Sequence, residues 1–124
     1  MAKTIHTADA PEAIGPYSQA IVHGGLLFTS GQIAINPASG QVEADTIEGQ
    51  TEQVMQNLAA LLEEAGASFD SVIKTTCFLS DMADFAAFNA IYGAYFVSKP
   101  ARSCVAAKQL PKNVLVEVEL IAAV

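Results

Sequence analysis

The single arginine of the chain, Arg102, stands in "KPARSCV" (Lys99 to Val105), two residues before Cys104. A guanidinium stays charged and presents a planar fork of N–H donors that matches a carboxylate, which a lysine cannot do. Ions enter an apolar run a second time in "VLVEVELIAAV", where Glu117 and Glu119 alternate with Val116, Val118 and Leu120. Strand parity puts Arg102, Cys104 and Ala106 on one face and Ala101, Ser103 and Val105 on the other. In the last run Val114, Val116, Val118 and Leu120 make an apolar face, opposite Leu115, Glu117, Glu119 and Ile121.

A simpler account competes: Glu117 and Glu119 are solvated and Arg102 is a surface ion-pair partner, a contact worth roughly 0–1 kcal/mol. Against it stands the scarcity of charge, 15% of residues, where about 25% is usual. If the two runs paired as a hairpin around Leu110 to Asn113, Arg102 would face Ile121 and Ala106 would face Glu117. Arg102 and Glu117 would then lie about 13 Å apart along the strands. A hairpin cannot join them. Either another strand intervenes or a second subunit takes part.

The elements that carry these residues follow from pattern. "GPYSQAIVHGGLLFTSGQI" reads as a hairpin: Tyr17 to Val22 extended, Gly24-Gly25 turning, Leu26 to Ser30 returning. "NPASG" (Asn36 to Gly40) is a further turn. Ile47, Thr51, Val54, Met55, Leu58, Leu61, Leu62 and Ala65 recur at helical period, with Asp45 and Glu48 as a capping box and Gly66 as the stop. "SVIKTTCFL" is a strand whose β-branched residues place Ile73, Thr75, Cys77 and Leu79 on one face, with Cys77 as ordinary core. A second helix spans Met82 to Val97, capped by Asp81 or Ser80, with Phe85, Phe88, Tyr92, Tyr95 and Phe96 as its stripe. Asn89 falls on that stripe, and a buried amide must find partners. The order ββαβαββ predicts an α+β domain with its helices on one face.

At 124 residues the chain fits one domain, residues 1–124, with a real core. Its 52% hydrophobic content points to apolar surface covered by a subunit contact. A net charge of −7 and five scattered lysines argue against a nucleic-acid partner. No apolar run approaches the roughly 20 residues of a membrane span, and no secretory signal opens the chain. Cys77 and Cys104 are therefore expected as free thiols in a reducing cytoplasm. His6 and His23, the only histidines, offer no metal-ligand spacing.

"IGPYSQ" (Ile14 to Gln19), "TSGQI" (Thr29 to Ile33), "PARSCV" (Pro100 to Val105) and "VEVELIA" (Val116 to Ala122) together resemble the RidA/YjgF family of enamine/imine deaminases. The likeness runs from about Lys3 to Ala123. It implies a chorismate-mutase-like α+β fold: a mixed sheet with two helices on one face, the last strand between two others, assembled as a homotrimer with clefts between subunits. It further implies hydrolysis of 2-aminoacrylate-type intermediates, released by pyridoxal-phosphate dehydratases, to 2-keto acids and ammonia, without metal or organic cofactor. Carried over by the match, Arg102 grips the substrate carboxylate and Glu117 handles the attacking water. Cys104 lines the cleft through its backbone, and Tyr17 and Asn89 enter from the neighbouring subunit. Ser30 and Gly31 lie at a strand end where backbone N–H groups can approach an anion. For Gly31 a plain turn glycine, and for Asn89 a structural helix-to-strand hydrogen bond, remain open as alternatives. The segment "FVSKPARS" is shorter than in some relatives, which bears on the mouth of the cleft. The competing function is a non-catalytic trimer that binds 2-keto acids and regulates a partner.

Overall fold

The computed structural model describes residues 1–124. Its elements run β1 (Lys3–Ile5), β2 (Ala20–His23), β3 (Leu26–Thr29), β4 (Ile35–Asn36), β5 (Gln41–Val42), α1 (Ile47–Glu64), β6 (Val72–Leu79), α2 (Phe85–Tyr95), β7 (Ala101–Ala106) and β8 (Val116–Ala123). The sheet order is β1-β2-β3-β8-β6-β7, and β4 with β5 forms a separate ribbon across the Asn36 to Gly40 turn. All pairs in the large sheet are antiparallel except β6 with β7. That pair is parallel because α2 lies between its strands and returns the chain to the starting end, the connection parallel strands need. β8 then enters between β3 and β6, so β7 and β8 are not neighbours. The hairpin geometry fails because β6 intervenes.

Local chemistry explains the element ends. The α1 cap is Thr46, whose hydroxyl accepts from the Gly49 N–H at 3.1 Å, and not the expected Asp45–Glu48 box. Thr46 holds the extended backbone that an N-cap needs, one residue later than Asp45. Gly66, at φ +78°, takes the left-handed position that stops the helix. The Asp81 carboxylate accepts from the Ala83 N–H at 2.8 Å and caps a short turn, Met82–Asp84, from which α2 departs. Helix α2 ends at Tyr95, short of the expected Val97. In β6 the register with β8 slips between Val72 and Lys74. This bulge buries Val72 and turns Ile73 outward, so Ile73 does not share the face of Thr75, Cys77 and Leu79. The short β1 and the β4–β5 ribbon carry too few residues for pattern to detect.

One face of the sheet is the core. Leu27, Val116, Val118, Leu120 and Cys77 meet Val54, Met55, Leu58, Leu62 and Phe88 from the helices. Each such side chain contributes roughly 1.5–3 kcal/mol on burial. The opposite face carries Ile21, Phe28, Phe78, Val105 and Ile121 with Glu117 and Glu119, and no helix covers it. Phe28 is 40% exposed and Val105 49%, so this is an uncovered apolar surface. No helix is long and apolar enough to cross a membrane.

Fully buried Asn57 ties α1 to the chain entering β4, donating to the carbonyls of Ile33 at 3.1 Å and Ile35 at 2.9 Å. Asn57→Ala removes both buried hydrogen bonds, leaving the Ile33 carbonyl only the Ile35 N–H at 2.8 Å, a cost of about 1–3 kcal/mol. The expected result is a lower urea midpoint than wild type at matched protein concentration. An unchanged midpoint would remove this contact from the account.

Candidate functional site

Arg102 sits on β7, the edge strand, half-buried beneath α2. One guanidinium nitrogen donates to Asn89 Oδ1 at 2.7 Å. The guanidinium carbon lies 4.8 Å from the Tyr92 ring centroid and 5.4 Å from that of Phe85. Phe85, Asn89 and Tyr92 are spaced four and three apart on α2 and so share one face. Tyr92 is itself pinned by a 2.7 Å hydrogen bond between its hydroxyl and that of buried Thr75. Aromatic faces and an amide orient the cation without neutralising it, each aromatic contact worth about 0.5–2 kcal/mol. Apart from His6 with Glu12, no acidic and basic side chains pair anywhere in the chain. Within one chain, then, Arg102 has no ion-pair partner. A concavity of about 370 Å³ opens beside it, lined by Asn89, Tyr92, Phe96, Lys99, Pro100 and Arg102 among others, without a carboxylate.

Glu117 belongs to a different surface. Arg102 is the register partner of Thr75, and Thr75 in turn of Leu120. All three therefore point to the helix-covered face, while Glu117, three residues before Leu120, points to the open one. There it lines a second concavity, about 310 Å³, with Ile14, Tyr17, Ser30, Gly31 and Pro111. Burial, and secondarily Glu119, holds its carboxyl above the ordinary carboxylate range. The reason for Gly31 is now visible. A Cβ at that position would stand 2.0 Å from Glu117 Oε2, so only glycine lets the carboxylate lie against the backbone. Gly31 is also absent from the positive-φ residues, which removes the turn-glycine account.

The rest of this half-site is held by its approach loop. The Tyr17 hydroxyl accepts from the Ile14 N–H at 3.1 Å, and the Ser30 hydroxyl donates to the Ser18 carbonyl at 2.6 Å. Buried Gln19 accepts from Thr7 N–H and donates to the carbonyls of Thr7, Ala10 and Pro11, fastening the loop to the sheet.

The expected residues thus fall into two groups. Tyr17, Ser30, Gly31 and Glu117 meet on the open face. Arg102 and Asn89 meet at the β7 edge, with half-buried Cys104 two residues along the same face. This corrects the grouping in which Asn89 entered from the neighbour of Arg102: the two are hydrogen-bonded within one chain, and Glu117 is the residue set apart. Burial pushes the Cys104 thiol up, only partly opposed by Arg102, so a ready nucleophile is not found there. Sequence reasoning missed Phe85 and Tyr92 as the platform of Arg102, having placed them in the core stripe. Their signal was Asn89, a polar residue in the middle of that stripe. No three His, Cys, Asp or Glu side chains converge as metal ligands.

A mixed sheet with both helices on one face, and polar concavities on its edge and its open face, defines a chorismate-mutase-like α+β domain. The family model described as Endoribonuclease L-PSP matches residues 7–124. A 2-iminobutanoate/2-iminopropanoate deaminase of Escherichia coli K12 is 47% identical over 98% of both chains. On these matches the chain belongs to the RidA/YjgF family. A Lactococcus lactis protein named as a regulator, AldR, is 57% identical, again over 98% of both chains. The crystal structure of E. coli TdcF with bound serine superposes with a TM-score of 0.93 at 41% identity, covering 98% of each chain.

The raised Glu117 pKa fixes a sign. In the unfolded chain Glu117 ionises near 4.3, and in the fold it ionises at higher pH because burial disfavours the anion. Below the unfolded value both states hold the proton and nothing is lost. Above the folded value the fold carries the full penalty. Glu117→Gln should therefore raise the melting temperature at pH 7, the advantage fading as pH falls through the usual carboxylate range. A variant that melts lower than wild type at pH 7 would contradict this.

Proposed function

We propose that the chain is an enamine/imine deaminase that hydrolyses 2-aminoacrylate-type intermediates to 2-keto acids and ammonia, at clefts shared between the subunits of a homotrimer. The observation that carries this is Arg102, a half-buried guanidinium held by an amide and two aromatic rings with no counter-ion of its own. Such a group lacks a carboxylate, and a small 2-imino acid brings one. The deaminase name of the E. coli relative agrees with that chemistry.

The arrangement needs a second copy, because Arg102 and Glu117 face opposite sides of one sheet. A subunit contact over the apolar open face brings the edge of one chain against the Tyr17–Glu117 concavity of the next. Repeated by rotation, this head-to-tail contact closes a ring. In the cleft Arg102 takes the α-carboxylate through its free N–H donors and so aims the imine carbon at the water on Glu117. The enamine first takes a proton from water at its terminal carbon and becomes the protonated imine. Glu117 removes a proton as water adds to the imine carbon, giving a neutral carbinolamine. It then returns that proton to nitrogen, the C–N bond breaks, and the hydroxyl proton passes to Glu117 as the C=O forms and ammonia leaves. Burial raises the proton affinity of Glu117 above that of an ordinary carboxylate, which favours the return of the proton to nitrogen.

The regulator name of the L. lactis relative favours a second reading, a trimer that binds 2-keto acids without turnover. The family model's endoribonuclease description has less support in this chain, whose net charge of −7 opposes RNA.

The test generates 2-aminoacrylate from serine with a serine dehydratase and follows keto-acid release. Wild type should accelerate it. Arg102→Ala should lose about a hundredfold or more in kcat/KM, since each hydrogen bond to a charged group contributes roughly 1.5–3 kcal/mol. Glu117→Gln should lose about a hundredfold in turnover. Keto-acid binding without acceleration would favour the regulatory module over the enzyme.

The shared cleft has its own test. Arg102→Ala and Glu117→Gln, refolded together, should recover about a quarter of wild-type activity, because random mixing leaves that share of clefts with both wild-type groups. Trimers that form but recover nothing would place both groups in the same chain's site.

A further inference from the structure

Cys77 of β6 and Cys104 of β7 are register partners, and neither is in a disulfide. Cys77 also pairs with Val118, which is fully buried under the helices, so both sulfurs lie on that same face. Adjacent strands are about 4.8 Å apart, inside the roughly 4.4–6.8 Å that separates the Cα atoms of disulfide-linked residues. The two thiols differ in access: Cys77 is fully buried, whereas Cys104 is half-buried on the edge strand. The mechanism proposed above uses neither sulfur.

We propose that Cys104 and Cys77 form a peroxide-oxidisable dithiol that closes to an intrachain disulfide next to Arg102. Cys104 reacts first. Burial keeps its thiolate a minor species, so the attack is slow and takes excess peroxide. The sulfur bonds to one oxygen of hydrogen peroxide, the O–O bond breaks, the thiol proton passes to the departing oxygen, and water leaves, giving the sulfenic acid. The Cys77 sulfur then attacks the Cys104 sulfur, the S–O bond breaks, and a second water departs with the Cys77 proton. The two thiols lose two electrons and the peroxide gains them, so two thiols and one peroxide give one disulfide and two waters.

The order of events follows from the surroundings. Burial pushes the fully buried Cys77 thiol up to about 12, although Thr75 and Arg102 partly oppose it, whereas Cys104 is only half-buried, and Arg102 partly opposes the rise there too. Cys77 is therefore a poor first nucleophile. As the resolving partner it needs only to meet a sulfenic acid held beside it, where fixed proximity replaces a bimolecular encounter. In a parallel pair the two Cα–Cβ bonds run side by side and do not converge, so closing the bridge draws β6 and β7 together. A bridge made under that distortion is readily reduced, the property of regulatory disulfides.

The experiment treats the full chain with hydrogen peroxide under non-reducing conditions and reads intact mass, thiol titre and the tryptic map. The expected result is loss of two hydrogens per chain, loss of both thiols, and a peptide pair linked through Cys77 and Cys104, all reversed by dithiothreitol. Cys77→Val, which keeps the core filled, should instead hold a Cys104 sulfenic acid that dimedone traps, and should pass to the irreversible sulfinic acid under further peroxide. Three outcomes overturn the proposal. One is wild type that reaches sulfinic acid at Cys104 with Cys77 still a free thiol. The second is a disulfide between chains, and the third is no oxidation of either sulfur in excess peroxide. None depends on imine hydrolysis, so failure here and failure of the deaminase reading are told apart.

Discussion

A cation without a counter-ion governs this molecule. Arg102 is held by Asn89 Oδ1 and by the faces of Tyr92 and Phe85, groups that orient a guanidinium but leave its charge uncompensated. The arrangement depends on α2, because all three contacts come from one helical face. It depends equally on β6, since Thr75 fixes the Tyr92 hydroxyl and sets the register of β7. A carboxylate supplied from the same chain would quench the cation, and the topology supplies none. The βαβ crossover places β7 at the edge and inserts β6 between it and β8, so Glu117 and Glu119 point away from Arg102 on the far face.

The same separation shapes the other half of the site. Glu117 lies where a Cβ on Gly31 would be, at the end of β3 and beside Tyr17. Burial there raises its proton affinity, and the nearby Glu119 adds to the effect. The fold thus keeps an acid in a place that resists its ionisation, and a base-like cation in a place that gives it no partner. The burial of Glu117 costs stability in the lone chain, and an acid so placed is better accounted for by a ligand than by folding.

Much of this was legible in the sequence. The hairpin of β2 and β3, the two helices, the apolar face of β8 and the parity of Arg102 with Cys104 follow from periodicity, and each is present. Most of what failed is non-local. The bulge at Val72 to Lys74 turned Ile73 out, since the competing register of β8 cannot be seen in β6 alone. The α1 cap moved to Thr46, one residue from an equally plausible Asp45, because backbone geometry chooses between two competent side chains. Phe85 and Tyr92 looked like core because an aromatic stripe is usually core, and only the amide between them marked a different use. The pairing of Arg102 with Asn89, and the exile of Glu117 to the other face, could be read only from strand order. Parity states which residues share a face within a strand, and says nothing of how two strands are oriented when a third stands between them.

Under the proposed deaminase function, strand order also accounts for how so small a chain would direct the chemistry. An imine hydrolyses in water unaided, so the protein has mainly to fix a carboxylate and present a water to the neighbouring carbon. A clamp and a base in one chain would bind each other first, because an Arg–carboxylate pair in a half-buried place is a strong bidentate contact. Holding them on opposite faces of a sheet prevents that pairing by geometry. A head-to-tail contact can then bring them to a common cleft at a distance set by the subunit contact and not by side-chain reach. The open apolar face of Ile21, Phe28, Phe78, Val105 and Ile121 suits such a contact, and it is the same face that carries Glu117. In the proposed trimeric deaminase, assembly and catalysis would share one cause: the surface that drives association would be the surface that delivers the base, and a chain that could not associate would have no complete site.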